Sequence, residues 1–195
     1  MRIIAGNARG RRLKAPRGLK TRPATARARE SIFSRLNVRI DFDGLMVLDI
    51  FAGSGSLGIE ALSRGAAHAT FVDSSKAATS VIRENLKALG LSERARIISN
   101  DLHRALPELA VAKKGFGLVF VDAPYANDIS NDVLAMLASL NLIAPEGWIV
   151  IRQFKRAPAA PPAPDGFEQF TVSIIGDHRI AYYRRPSIGA EIASG

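Results

Sequence analysis

One stretch limits the fold of this chain more than any other: Leu48-Asp49-Ile50-Phe51-Ala52-Gly53-Ser54-Gly55-Ser56-Leu57-Gly58. Gly53, Gly55 and Gly58 carry the spacing G-x-G-x-x-G, between an apolar run at residues 46–50 and a helical segment at residues 56–64. Glycines at this spacing let a strand turn sharply into a helix and bring backbone close to a ligand at the helix start. Asp73 closes the next apolar run, twenty positions after Gly53, where a carboxylate can accept hydrogen bonds from ribose hydroxyls.

The rest of the chain supports a sheet around this loop. Apolar runs at residues 46–50, 69–73, 96–99, 118–122 and 148–153 alternate with helical segments at 56–64, 75–89, 102–109 and 131–140. Strands alternating with helices make right-handed βαβ units and a mostly parallel sheet. In the helix at 75–89, Ala78, Val81, Ile82, Leu86 and Leu89 share one face and Gly90 stops it. The four prolines of residues 157–164 demand a loop. Residues 167–175 and 179–184, joined by Gly176-Asp177-His178, read as a closing antiparallel hairpin. The fold expected is α/β and Rossmann-like, mostly parallel, with an antiparallel C-terminal hairpin and a basic N-terminal arm. The organisation expected is an arm and helix over residues 1–40, a catalytic domain over 41–186, and a frayed tail over 187–195. In the arm, residues 1–20 read as a small hairpin or extended segment. Thr25 can cap a helix whose stripe is Ala28, Ile32, Phe33 and Leu36, with Arg27 and Arg35 off the stripe and Arg29 on its flank.

Charge is divided unevenly. The net charge is +9, yet residues 1–40 hold twelve Lys/Arg against Glu30 alone, and the remainder holds fifteen basic and seventeen acidic residues. A near-neutral body with a basic segment is the footprint of a polyanion partner. The chain has no cysteine, which removes disulfides, thiol catalysis and thiolate metal sites and fits the cytoplasm. Its 195 residues, 47% of them hydrophobic, suffice for one α/β domain plus an extension. The longest charge-free run, thirteen residues from 133 to 145, is too short to span a bilayer, and no apolar block follows the first arginines as a signal peptide would require. His68, His103 and His178 are scattered and read as surface or capping residues, so no metal is expected. Nothing demands more than a monomer.

The glycine spacing alone admits NAD, FAD or S-adenosylmethionine. Asp49 lies at the mouth of the loop, and residues 44–63 hold two acids, Asp49 and Glu60, and no base. A pyrophosphate would be repelled there, whereas S-adenosylmethionine carries a sulfonium and an ammonium and suits an acidic loop. The cofactor set is Asp49, Phe51, Gly53, Ser54, Gly55, Asp73, Ser74, Asp101 and Leu102, with Asp101 placed for the adenine or, alternatively, as a simple helix cap.

Val119-Phe120-Val121-Asp122-Ala123-Pro124-Tyr125 ends the fourth strand. Ligands in open α/β sheets sit at strand carboxyl ends near the switch in strand order. An exocyclic base amine is a poor nucleophile, because its lone pair is delocalised into the ring. The Asp122 carboxylate and the Ala123 carbonyl can accept its hydrogens, Pro124 stiffens the turn, and Tyr125 offers a ring for an unstacked base.

Three blocks now resemble a known family: RIIAGNARGRRLKAPRGLKTRPATARARESIFSRL, LDIFAGSGSLGIEALSRGA and FVDAPY. In this order they resemble the 16S ribosomal RNA guanine-N2 methyltransferases of the RsmD type, over about residues 2–185. The resemblance implies a seven-stranded methyltransferase fold, S-adenosylmethionine as donor and one guanine of small-subunit RNA as target, free or within an assembling ribosomal particle. The family usually has Pro where Ala123 stands, Thr where Ala24 stands, an acid or Ser where Ala26 stands, and often a Glu ending the fifth strand, where this chain has Arg152 or Gln153. On this reading Asp122, Ala123, Pro124 and Tyr125 are catalytic, and Arg9, Arg11, Arg12, Lys14, Arg22 and Arg27 grip RNA phosphates. The rivals are an N6-adenine DNA methyltransferase, disfavoured because its motif begins with Asn rather than Asp, and a catalytically inactive RNA-binding protein. The loop charge disfavours a nicotinamide dehydrogenase.

Overall fold

The computed structural model describes residues 1–16, 26–111, 115–122, 129–157 and 159–187. Helix α1 (Ala26–Asn37) precedes β1 (Met46–Ile50), α2 (Ser56–Ser63), β2 (His68–Val72), α3 (Lys76–Leu89), β3 (Ala95–Ile98), α4 (Leu102–Val111), β4 (Phe116–Asp122), α5 (Ser130–Ser139), β5 (Ile143–Phe154), β6 (Glu168–Ile175) and β7 (His178–Arg184). The strands form one seven-stranded sheet in the order β3-β2-β1-β4-β5-β7-β6. The pairs among β1 to β5 are parallel, and β5–β7 and β6–β7 are antiparallel. The order reverses between β1 and β4, and a crevice opens at the carboxyl ends of strands at such a switch point. In the register there, Ile50 stands opposite Val121, so Asp122 projects one residue past the end of β1.

The core has two layers. One side of the sheet packs α1, α2 and α3 through Phe33, Ile59, Leu62, Ile82, Phe120 and Tyr182. The other packs α4 and α5 through Leu106, Leu109, Val133, Leu137, Val119 and Ile149. Covering on both faces is why the central strands are apolar at nearly every position. The predicted helix and strand order holds throughout the described residues. β5 starts five residues earlier than the sequence pattern indicates. Its register against β4 shifts between Phe116 and Leu118, and Glu146 takes φ 62°. That irregularity in Pro145-Glu146-Gly147 masks the continuation of the strand.

Residues 1–16 form a docked hairpin. Ile3 N–H donates to the Arg11 carbonyl at 3.0 Å, Gly10 N–H to Ile3 at 2.9 Å and Leu13 N–H to Met1 at 2.9 Å. Ile3 and Leu13 enter the core on the α1–α3 side. The buried Glu60 carboxylate of α2 accepts the N–H groups of Ile4 and Ala5 at 2.8 and 3.0 Å. Glu60 therefore faces the hairpin and does not add charge to the glycine loop, correcting the sequence expectation. Arg29, on the flank of the α1 stripe, is 1% exposed: the hairpin covers α1 there, and Arg29 Nη2 donates to the Arg2 carbonyl at 3.1 Å. Burial lowers its pKa from the ordinary arginine value, against the pull of Glu60 and Glu30. The expected Thr25 cap and the tail beyond residue 187 lie outside the described residues.

Candidate active site

The glycine loop leaves β1 through three left-handed residues: Phe51 at φ 59°, Gly53 at φ 57° and Gly55 at φ 74°. The first is costly for a residue with a side chain and marks a backbone held by its surroundings. Asp73, just after β2, holds it in part. Asp73 Oδ2 accepts the Gly53 N–H at 2.8 Å and Oδ1 accepts the Ser75 N–H at 2.9 Å. Each oxygen keeps capacity for a further hydrogen bond. Gly58 has no room for a side chain: a Cβ would lie 2.5 Å from the Phe71 ring and 3.2 Å from Asp49 Oδ2. The α2 N-terminus therefore sits directly against β1 and β2.

Asp49 lies beneath the loop, not at its open mouth, and is 1% exposed. Its place in β1, with Gly58 packed over it, accounts for the difference from the sequence reading. Oδ2 accepts the Gly58 N–H at 2.9 Å, and Oδ1 is buried with no hydrogen-bond partner among the described residues. Burial pushes the Asp49 carboxyl well above the usual range; the Gly58 bond opposes this, and the nearby charges of Asp122 and Asp73 reinforce it. A buried carboxylate oxygen without a donor is expensive in a folded protein. A cationic ligand group in the crevice would relieve it, and the ammonium and sulfonium of S-adenosylmethionine are such groups. The donor set has the chemistry the cofactor requires.

At the end of β4, Asp122 stands opposite Arg152 of β5 in the parallel register. Arg152 Nη2 lies 2.5 Å from Asp122 Oδ1 and 2.6 Å from Oδ2. Arg152 Nη1 lies 3.1 Å from His178 Nδ1 and 3.3 Å from Nε2. The side chain of Arg152 is 6% exposed and that of Asp122 19%. His178 is buried, contrary to the surface role expected, because it opens β7 directly beside Phe154 of β5. Burial lowers its pKa below the ordinary histidine value, Arg152 lowers it further, and Asp122 and Asp177 act in the opposite direction.

The other site residues are spread around this centre. Asp101 Oδ1 accepts the Arg104 N–H at 3.2 Å, so Asp101 caps α4 whatever else it binds. Leu102 is buried behind it and Ser74 is exposed after β2. The Ser54 hydroxyl turns toward Met1 at 3.7 Å. Arg9, Arg11, Arg12, Lys14 and Arg27 are all exposed; Arg11 donates to the Ala88 carbonyl at 2.7 Å and Lys14 pairs with Glu84 at 2.7 Å. Ala123, Pro124, Tyr125 and Arg22 lie outside the described residues. Sequence reasoning missed Asn85, whose Oδ1 accepts the Lys14 N–H at 2.8 Å and whose Nδ2 donates to the carbonyls of Lys14 and Ser54 at 3.1 and 3.0 Å. Its signal was an amide on the apolar face of α3. Among the described residues no cluster of three or more His, Asp or Glu could hold a metal, and no helix is long and apolar enough to cross a membrane.

This site belongs to a chain with many relatives. The family model described as Conserved hypothetical protein 95 matches residues 1–184. The chain belongs to that family. Within the Conserved hypothetical protein 95 family, it is 32% identical over 190 residues to Ribosomal RNA small subunit methyltransferase D of Escherichia coli (strain K12), covering 97% of this chain and 92% of that one. It is 43% identical over 150 residues to YlbH of Bacillus subtilis (strain 168), covering 77% of this chain and 80% of that protein. Its structure is similar to that of yhhF from Escherichia coli, with a TM-score of 0.79 and 32% identity over 96% of this chain and 98% of that one. The resemblance to the RsmD type read from the three sequence blocks is thus borne out for the family as a whole.

Proposed function

We propose that this chain methylates the exocyclic N2 amine of a guanine in small-subunit ribosomal RNA. It is an rRNA methyltransferase that uses S-adenosylmethionine. The observation that carries the reading is the Oδ1 of buried Asp49 under the glycine loop, which has no partner among the described residues, at the same strand switch as the partly exposed carboxylate of Asp122. The first suits the cationic donor, and the second receives the acceptor base. The donor supplies an electrophilic methyl group, so that the new N–C bond forms as the C–S bond breaks with its electron pair left on sulfur. Asp122 accepts hydrogen bonds from guanine N1–H and N2–H together, which a carboxylate suits and an adenine edge does not offer. Holding amine and methyl in line supplies on the order of 7–11 kcal/mol of the barrier. The exposed Arg9, Arg11, Arg12 and Lys14 hold RNA phosphates. The enzyme works in the cytoplasm as a monomer, on free RNA or on a partly assembled small subunit.

Tritiated methyl transfer should be measured to deproteinised small-subunit RNA, assembled small subunits and duplex DNA, with mass mapping of the labelled base. One N2-methylguanine in RNA or subunits is expected. Label appearing only in DNA, or on another base, overturns the reading. Asp122→Asn keeps the shape and avoids stranding Arg152, so it should abolish turnover while calorimetric cofactor affinity stays near wild type.

A further inference from the structure

The guanidinium of Arg152 touches Asp122 and His178 at once: one terminal nitrogen lies against both Asp122 carboxylate oxygens, the other against the His178 ring. We infer that Arg152 is a positioning residue for methyl transfer, which fixes the plane of the Asp122 carboxylate and is itself braced by His178. The inference rests on the reading of Asp122 as the group that receives the base amine.

Three features support it. The contact is built into the sheet, since Asp122 and Arg152 are register partners on adjacent parallel strands and Arg152 stands two residues before Phe154, which pairs with His178. The pair is largely withdrawn from water, so its geometry is defined more tightly than that of an exposed ion pair. The brace has a matching chemistry. His178 is biased toward its neutral form by burial and by Arg152, and a neutral ring nitrogen accepts a guanidinium hydrogen. Phe154 meets the His178 ring edge-on at 5.4 Å, which limits the ring's rotation.

The arrangement also divides the labour within the site. A carboxylate has about four lone-pair positions, and Arg152 Nη2 bridges the two oxygens on their inner side. The outer lone pair of each oxygen remains for the donors of the base. Arginine stays protonated in proteins and cannot relay a proton, so His178 has no route to act as a base through it. The amine proton released after methylation does not pass through Arg152, and Asp122 orients the amine.

The test is steady-state methyl transfer to small-subunit RNA by Arg152→Gln, Arg152→Lys and His178→Gln, with cofactor binding measured by calorimetry. A misplacement of about 1 Å can cost about a hundredfold. Arg152→Gln should therefore lower kcat by roughly 10–100-fold, with the KM for the cofactor unchanged within twofold. Lysine keeps the charge on a single point donor, so Arg152→Lys should recover part of that loss. His178→Gln should lower kcat by a smaller factor. A wild-type kcat in Arg152→Gln, a loss confined to KM, or a lysine variant no better than glutamine overturns the inference. If the glutamine variant does not fold, the lysine variant decides: kcat below wild type supports positioning and an unchanged kcat overturns it. Asp122→Asn separates the two readings. A dead Asp122→Asn beside a normal Arg152→Gln sinks only this inference, whereas an active Asp122→Asn sinks the assignment of Asp122.

Discussion

Asp49 shows how one buried side chain trades stability against binding. Its carboxyl titrates above the ordinary range, chiefly through burial. A group with a raised folded-state pKa favours the fold while protonated, and that contribution is lost as pH rises from the unfolded-state value through the folded one. Above about pH 4, the unfolded chain already carries the charge, while the ligand-free fold is penalised for doing so. Asp49→Asn should therefore raise the melting temperature of the ligand-free protein near neutral pH, by about 2–4 °C for each kcal/mol recovered. The gap over wild type should close as the pH falls toward about 4. The same variant loses a charge-assisted contact worth about 1.5–3 kcal/mol, so its affinity for S-adenosylmethionine should fall at least tenfold. Calorimetry and thermal melts across pH measure both effects, and a variant less stable than wild type at pH 7 would contradict this account of Asp49.

At the scale of elements, the N-terminal hairpin is held by polar groups that helices α2 and α3 offer from otherwise apolar faces. Glu60 and Ser63 take the N–H groups of Ile4, Ala5 and Ala8, and Asn85 takes both the N–H and the carbonyl of Lys14. Asn85→Ala removes three hydrogen bonds at a site 2% exposed. At about 1 kcal/mol each, with a further cost for the buried Ser54 carbonyl, the loss should reach about 2–4 kcal/mol in urea unfolding. A change below about 0.5 kcal/mol, typical of a surface position, would mean the hairpin is not anchored there. The elements themselves were legible because apolar runs of β length and stripes of helix period repeat along the chain. These latches were not. A periodicity reading scores Glu60, Ser63 and Asn85 as interruptions, and their partners lie 55 to 71 residues away. The glycine loop, Asp49, Asp73 and Asp122 were legible as candidates, since local spacing marks them. The partnership of Asp122 with Arg152 required the order β1-β4-β5, which follows from packing and not from spacing.

Across the whole molecule, charge and chemistry occupy different regions. The excess of basic residues lies in residues 1–40, whereas the carboxylates of Asp49, Asp73 and Asp122 gather at the strand switch. If the hairpin makes about five phosphate contacts to loosely structured RNA, affinity should fall about a hundredfold between roughly 50 and 200 mM salt. Filter binding across salt measures the slope. A flat response would remove the hairpin from RNA recognition, and affinity for the donor, which has no phosphate, should change far less over the same range. The two regions nonetheless share a hinge pin. The Asn85 amide touches Lys14 on one side and the Ser54 carbonyl on the other, so any shift of the basic strand is transmitted through one rigid planar group to the glycine loop, where we propose the methyl donor binds. Thermodynamic reciprocity then ties the two ligands: by whatever factor RNA alters the grip on the donor, the donor must alter the grip on RNA.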